Sequence, residues 1–147
     1  METGKKIAAG VLPICAKTGK VLVIKRGPNQ PKPGLWACFG GKFDTVDKSP
    51  KDTAKREFAE ESSYVGKYKI SRLPLYVNKN NHSLFYTYIG IFNEEFIPDL
   101  EKGQEAVEFG WFHISELTTL DLLPGFQEAI EKKEKTLQNI ICFYSGK

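Results

Sequence analysis

The stretch Ser49-Pro50-Lys51-Asp52-Thr53-Ala54-Lys55-Arg56-Glu57-Phe58-Ala59-Glu60-Glu61-Ser62 decides how this chain is read. It opens like a helix. Ser49 can accept from the open N–H groups of the first turn. Pro50 suits the first helical position, and Asp52 reaches back while facing the positive end of the dipole. Ala54 and Phe58, four apart, supply an apolar stripe. The spacing predicts a helix from Ser49 to about Ser62, fading before Gly66. On that helix Glu57, Glu60 and Glu61 stand at i, i+3 and i+4 and share one face. Like charges so placed destabilise a helix by roughly 0.2–0.5 kcal/mol per pair. A sequence shaped by stability alone would disperse them. Three carboxylates on one face, with Asp44 and Asp47 shortly before them, are the oxygen donors that a hard divalent cation such as magnesium takes. Arg56 lies beside the cluster and can clamp a carboxylate through two parallel hydrogen bonds, which would orient Glu57 and keep it ionised. An ordinary charged surface helix explains the six residues Arg56–Glu61 about as well when they are taken alone.

One loop earlier stands Gly40-Gly41, at the end of an apolar run. A double glycine lets the backbone approach a ligand closely and offers a bare carbonyl. With that spacing the chain resembles the Nudix hydrolase family, whose pattern is G-x5-E-x7-R-E-U-x-E-E-x-G-U, with U bulky and apolar. The matching residues are Gly41, Asp47, Arg56-Glu57-Phe58-Ala59-Glu60-Glu61 and Ser62-Ser63-Tyr64. Three positions depart from it. Asp47 replaces a glutamate, eight residues rather than seven separate it from Arg56, and Ser63 replaces the closing glycine. The resemblance extends to Val21–Arg26, Pro33-Gly34-Leu35-Trp36 and, downstream, to Glu105 six residues before Trp111-Phe112.

The resemblance implies an α/β fold, a Nudix-type α/β/α sandwich with a central mixed sheet, as one domain over residues 1–147. It implies Mg²⁺-dependent hydrolysis of a pyrophosphate bond in a nucleoside diphosphate linked to another moiety, with Mn²⁺ as a substitute ion. By the same resemblance Glu57 and Glu61 are direct metal ligands, Glu60 is close by, and the Gly41 carbonyl is a further donor. Arg56 belongs to the catalytic group. The general base is Glu57 or Glu105, with Glu108 as the fallback. Lys25, Arg26 and Lys32 are candidates for substrate phosphates, although each reads equally as a solvated cation. Trp36, Phe39 and Tyr86 either stack on a base or belong to the core. The Ser-Gln-Pro-Trp-type run of dinucleotide-cleaving members is absent, and so is the proline that ADP-ribose members carry after the box.

The rest of the chain fits one ordinary globular domain. It has 147 residues, 41% hydrophobic and 27% charged, with a net charge of +3 that suits an anionic small molecule. The basic residues form no clustered face, which argues against a nucleic-acid partner. RNA cap removal is therefore the weaker enzymatic alternative, and a nucleotide-binding module without turnover is the non-enzymatic one. Cys15, Cys38 and Cys142 are odd in number and lack C-x-x-C spacing, which points to a reducing, cytoplasmic setting. His82 and His113 are far apart and read as ordinary surface or strand residues. No apolar run is long enough to span a bilayer. Strands are expected at Ile7–Ala16, Val21–Arg26, Leu35–Phe39, Lys67–Val77, Leu84–Phe92 and Val107–Ile114. A short helical turn is expected at Ser115–Leu117, and one last helix from Phe126 to Ile140. The apolar tail Ile140–Tyr144 packs inward or onto a second copy as a homodimer.

Overall fold

The computed structural model describes residues 4–146; the outermost ends of the 1–147 domain expectation, 1–3 and 147, lie outside the described residues. The sheet is built around β1 (Lys6–Cys15) and β7 (Ser83–Phe92), which run parallel over ten pairs, from Lys6↔Ser83 to Cys15↔Phe92. The other side of β1 is shared. β4 (Phe39–Lys42) takes the first half antiparallel, with Ala8 opposite Lys42, and β2 (Val21–Arg26) meets it at Ile14↔Val21. β2 carries β3 (Trp36–Ala37) and β8 (Ala106–Phe112), while β5 (Lys69–Ile70) and β6 (Tyr76–Lys79) border β7.

Alternation along the strands divides the core into two layers. Leu12, Ile14, Val21 and Val23 face α2 (Pro124–Lys132) and α3 (Glu134–Ser145), meeting Phe126, Ile130, Leu137 and Ile141. Ala9, Val11, Leu22 and Ile24 face α1 (Pro50–Ser62), meeting Ala54 and Phe58. The result is the expected α/β/α sandwich with a mixed sheet. Phe58 is the centre of an aromatic cluster: the rings of Phe39, Tyr68 and Phe92 lie 5.1, 5.3 and 5.6 Å from it. Burying this side of α1 fixes the direction in which its glutamates point.

The first helix begins and ends as its caps dictate. Ser49 accepts from the Asp52 N–H at 3.3 Å, and Asp52 accepts from the Lys48 N–H at 3.0 Å. Ser63 closes it at φ 59°, in the left-handed region, with its N–H on the Ala59 carbonyl. A non-glycine residue there costs about 1–2 kcal/mol, partly offset by the chain entropy that glycine would lose. Ser63→Gly is therefore expected to raise stability by about 0.5–1 kcal/mol, read as the midpoint of urea unfolding; an unchanged or lower midpoint counts against it.

Several elements differ from expectation. The run Lys67–Val77 is a strand only at Lys69–Ile70 and from Tyr76; between them the chain bonds to β7 singly, through Ser71 N–H to the Ile89 carbonyl and Leu75 N–H to the Thr87 carbonyl. Leu35–Phe39 is divided at Cys38, because β3 pairs with β2 and β4 pairs with β1. The final helix is two helices meeting at Lys133, whose φ of −119° leaves the helical range. The apolar phase breaks at Lys133-Glu134, so the chain turns there and seats Leu137 and Ile141 on the sheet. Of the tail, Ile141 packs inward while Phe143 is exposed. Among the described residues, no helix is long and apolar enough to cross a membrane.

Candidate active site

Gly40 and Gly41 sit on β4, against the acidic face of α1. The Gly40 N–H donates to Glu61 Oε1 at 3.0 Å. At Gly41 the place a Cβ would fill is occupied by the Glu57 carboxylate, with Cδ 2.1 Å from that position. Glu57 is thus seated by the absence of a side chain at Gly41, and Glu61 by the backbone N–H of Gly40. The Asn93–Glu105 segment closes the other side. Its Asp99 N–H bonds the Ser62 carbonyl at 2.9 Å, and Gly103 packs over the Glu61 backbone. This brings Glu105 beside Glu61. Together Glu57, Glu60, Glu61 and Glu105 line an open cleft of about 590 Å³, where Lys102 is the only basic side chain among the described residues.

Arg56 is consumed by this architecture. Its Nε and Nη2 grip Asp47 at 3.0 and 2.9 Å, Nη2 also reaches the Lys42 carbonyl at 3.0 Å, and Nη1 reaches Glu57 at 3.1 Å and Glu60 at 3.3 Å. All five guanidinium N–H groups have partners. The two-pronged clamp falls on Asp47 rather than on Glu57, as the sequence had suggested. Arg56 has no donor left for substrate and is a positioning residue, not a catalytic one. Asp47, only 8% exposed, also accepts from the Thr53 hydroxyl at 2.8 Å and from the Asp44 N–H at 2.9 Å. The bonds from Arg56 hold its carboxyl well below the usual carboxylate range. Sequence reasoning missed this role. The usable signal was an acid at the motif position with a hydroxyl one helical turn before Arg56.

Glu61 has the opposite environment. It is 7% exposed, and no cation pairs with it among the described residues. Burial, reinforced by Glu105, pushes its carboxyl up to about 9. Burial also raises Glu57, opposed by Arg56. Among the described residues, no three His, Cys, Asp or Glu side chains already converge as a closed ligand set. The buried Glu61 and the seated Glu57 are donors that a divalent cation would complete; the Gly41 carbonyl, expected as a further donor, faces Ala9 in the ladder between β4 and β1.

The signs of these shifts predict a pH profile for cation-free protein. A carboxyl raised in the folded state stabilises fully below its ordinary value near 4.5, and that contribution is lost as pH rises toward 9. Asp47 acts oppositely, losing its contribution only in strong acid. Thermal melts in chelator should therefore fall from pH 5 to pH 9, and Mg²⁺ should flatten the fall. A melting temperature that declines equally with and without the ion would contradict a cation at Glu61.

The remaining sequence candidates separate. Trp36 and Phe39 are corrected: they are 7% and 0% exposed, Trp36 packed on Phe112 and Phe39 on Phe58, so neither ring has a face open to a base. Their apolar area is used in the two core layers. Lys25 lies across from Glu108 and pairs with it at 3.9 Å, which also engages the fallback base. Arg26 donates Nε to the Pro31 carbonyl and borders a second cavity of about 220 Å³. That cavity includes Cys38, Gly40, Asn78, Phe85 and Phe126 and was not visible in the sequence. Asn78 is tied across it to the Gly125 carbonyl at 2.9 Å. Burial pushes the Cys38 thiol up to about 12, with Glu61 adding to the effect, so it is a packing group rather than a nucleophile.

The layered fold and its acidic helix place the chain among the Nudix-type α/β/α hydrolases. The NUDIX domain family model matches residues 4–133, and the chain belongs to that family. It is by class a hydrolase of phosphoanhydride bonds. Among solved structures it is similar to RenU, a Nudix hydrolase from M. smegmatis, at 22% identity over 94% of this chain and 88% of that one, with a TM-score of 0.75. It is similar to the NUDIX domain of Shewanella oneidensis NrtR complexed with ADP ribose, at 22% identity over 90% and 88%, with a TM-score of 0.73. A bifunctional NMN adenylyltransferase/ADP ribose pyrophosphatase from Francisella tularensis, complexed with AMP and a Mn ion, matches at 16% identity over 90% of this chain and 42% of that one, with a TM-score of 0.65. No curated protein matches in sequence.

Proposed function

We propose that the protein hydrolyses the pyrophosphate bond of a nucleoside diphosphate joined to a small polar group, with Mg²⁺ or Mn²⁺ held by Glu57 and Glu61, and Glu60 close by. The observation that carries this reading is Glu61: a carboxylate buried beside Glu105, with a backbone N–H as its donor and, among the described residues, no cation to balance it. The bound ion would neutralise phosphate charge and make water easier to deprotonate. The side chains supply the rest. Glu57, engaged by the ion and by Arg56, would be the weaker base. Glu105, exposed on the cleft rim, takes the proton from the attacking water. A new P–O bond forms as the bridging P–O bond breaks, giving a nucleoside monophosphate and the phosphorylated second group.

The two cavities support a substrate with one base. The smaller, largely apolar cavity reaches Gly40, whose N–H holds Glu61, and its only charged side chain among the described residues is Arg26. About 220 Å³ accommodates one aromatic base. The larger cleft is open and lined by carboxylates and Lys102, which suits a sugar or phosphate. Incubation with Mg²⁺ and a panel of nucleoside triphosphates, ADP-ribose, sugar nucleotides, NADH, dinucleoside polyphosphates and a capped oligonucleotide, with products separated by chromatography, tests this. Turnover is expected among the single-base compounds and to stop with chelator. Preferential cleavage of dinucleoside polyphosphates would overturn the one-base reading, and tight nucleotide binding without any turnover would overturn the hydrolase. Sedimentation of the intact protein tests the homodimer, for which Phe143 offers an exposed ring.

A further inference from the structure

Two of the departures from the family pattern fall on the same few residues, and the geometry relates them. Asp47 is one methylene shorter than the glutamate of the pattern, and one additional residue separates it from Arg56. The helix is capped at Ser49, so a residue added within Pro50–Arg56 would turn the cap, and Asp47 before it, by about 100° relative to Arg56 and Glu57. The additional residue therefore lies before the cap, and Lys48, whose side chain is exposed, is the only residue between Asp47 and Ser49. The slack it supplies allows residues 44–47 to close on themselves: the Asp47 N–H donates to the Asp44 carbonyl at 2.9 Å, and the Asp44 N–H returns to Asp47 Oδ2 at 2.9 Å. That turn carries a short side chain inward to the guanidinium, with Thr53 fixing the same oxygen.

We propose that Asp47 and Lys48 are a compensating pair: the inserted residue moves the backbone in by the reach that the shorter acid gives up, and the resulting Asp47–Arg56 fork is what aims Glu57 and Glu60 into the cleft. Asp47 is then a positioning residue that acts through Arg56. Either change reversed alone breaks the fork. In Asp47→Glu the added methylene has no room at a position already bonded to Arg56, Thr53 and Asp44. Deleting Lys48 alone opens the turn and withdraws the short acid. Reversing both regenerates the spacing of the pattern with its longer acid. The fork is a finding of geometry, while its effect on turnover rests on the function proposed above.

The test is a double-mutant cycle on the full chain with two readouts. The first is the NMR signal of the Arg56 Nε–H, assigned by its loss in Arg56→Lys and protected from solvent exchange while the fork holds. The second is Mn²⁺ affinity, followed by the shift in melting temperature with added ion. Asp47→Glu and the Lys48 deletion should each lose the protected signal and weaken Mn²⁺ binding by about 10-fold or more, the usual scale for a group that orients a ligand. The double variant should recover the signal and most of the affinity, so the two effects do not add. Circular dichroism checks that each variant is folded. If either single variant is unfolded, the double variant must refold it. The proposal is overturned if Asp47→Glu keeps the protected signal and the affinity, or if the double variant is no better than the worse single one. Failure of the hydrolase reading would show differently, as the expected NMR pattern without turnover in any variant.

Discussion

Glu61→Gln is expected to abolish hydrolysis, by about 10³-fold or more, and at the same time to make the cation-free protein more stable. The two effects have one cause. Glu61 is buried with a single backbone donor and the neighbouring Glu105, which is why its carboxyl resists ionisation up to about 9. Glutamine keeps the shape and accepts from the same Gly40 N–H, but carries no charge. At pH 8 without divalent ion the gain should be about 2 kcal/mol, visible as a higher melting temperature. With Mg²⁺ the order should reverse, because the native protein gains binding energy that the variant lacks. A variant that is less stable than the native protein in chelator would mean that Glu61 is a structural anchor and not a ligand awaiting an ion.

Gly41→Ala is expected to leave the fold standing and to reduce turnover by about 10²-fold, the scale of an ångström-sized misplacement. Its added carbon would fall 2.1 Å from the Glu57 Cδ, at the far end of a flexible side chain that can swing out. Gly10→Ala makes the informative contrast. There the added carbon meets the Phe39 carbonyl at 2.0 Å, backbone against backbone between β1 and β4, and neither can yield. That variant should lose about 3 kcal/mol or more and fall out of solution before any kinetic question arises. Comparing urea midpoints and turnover for the two separates a glycine that admits a functional group from one that admits a strand. Equal stability losses in both would remove the distinction.

The acidic helix could be read from the sequence because everything that determines it is local. Its cap at Ser49, proline at the first turn and stripe of Ala54 and Phe58 all lie within the segment, and α1 spans Pro50–Ser62 as they imply. The strand at Val21–Arg26 was equally direct, a continuous apolar run closed by a loop rich in proline and glycine. Failures came where distant pairing decides. Lys67–Val77 has the composition of a strand, yet only parts of it form strands on β7, and between them the chain reaches β7 through single bonds at Ser71 and Leu75. Phe39 sits in a motif beside the site, but the sequence does not say on which side of the sheet its ring falls, and it faces Phe58. Arg56 does pair with Glu57, but the acid that takes its two-pronged grip was hidden for the same reason. Adjacency in sequence favoured Glu57, while the fork needed an acid brought back by the turn at Asp44–Asp47. The small cavity draws on β2, β4, β6, β7 and α2, and no local signal could have assembled it.

The parallel ladder between β1 and β7 joins residues that are far apart along the chain, as in Lys6 with Ser83 and Cys15 with Phe92. Neither strand can gain its partner until the intervening chain has closed into a loop, so folding must cross an entropic barrier before its largest reward arrives. β4, which carries Gly40-Gly41, rests on β1, and α1 packs over both. A cation able to bind Glu57 and Glu61 together therefore meets its ligands only after that long loop has closed. It should slow unfolding without speeding the search for the native state.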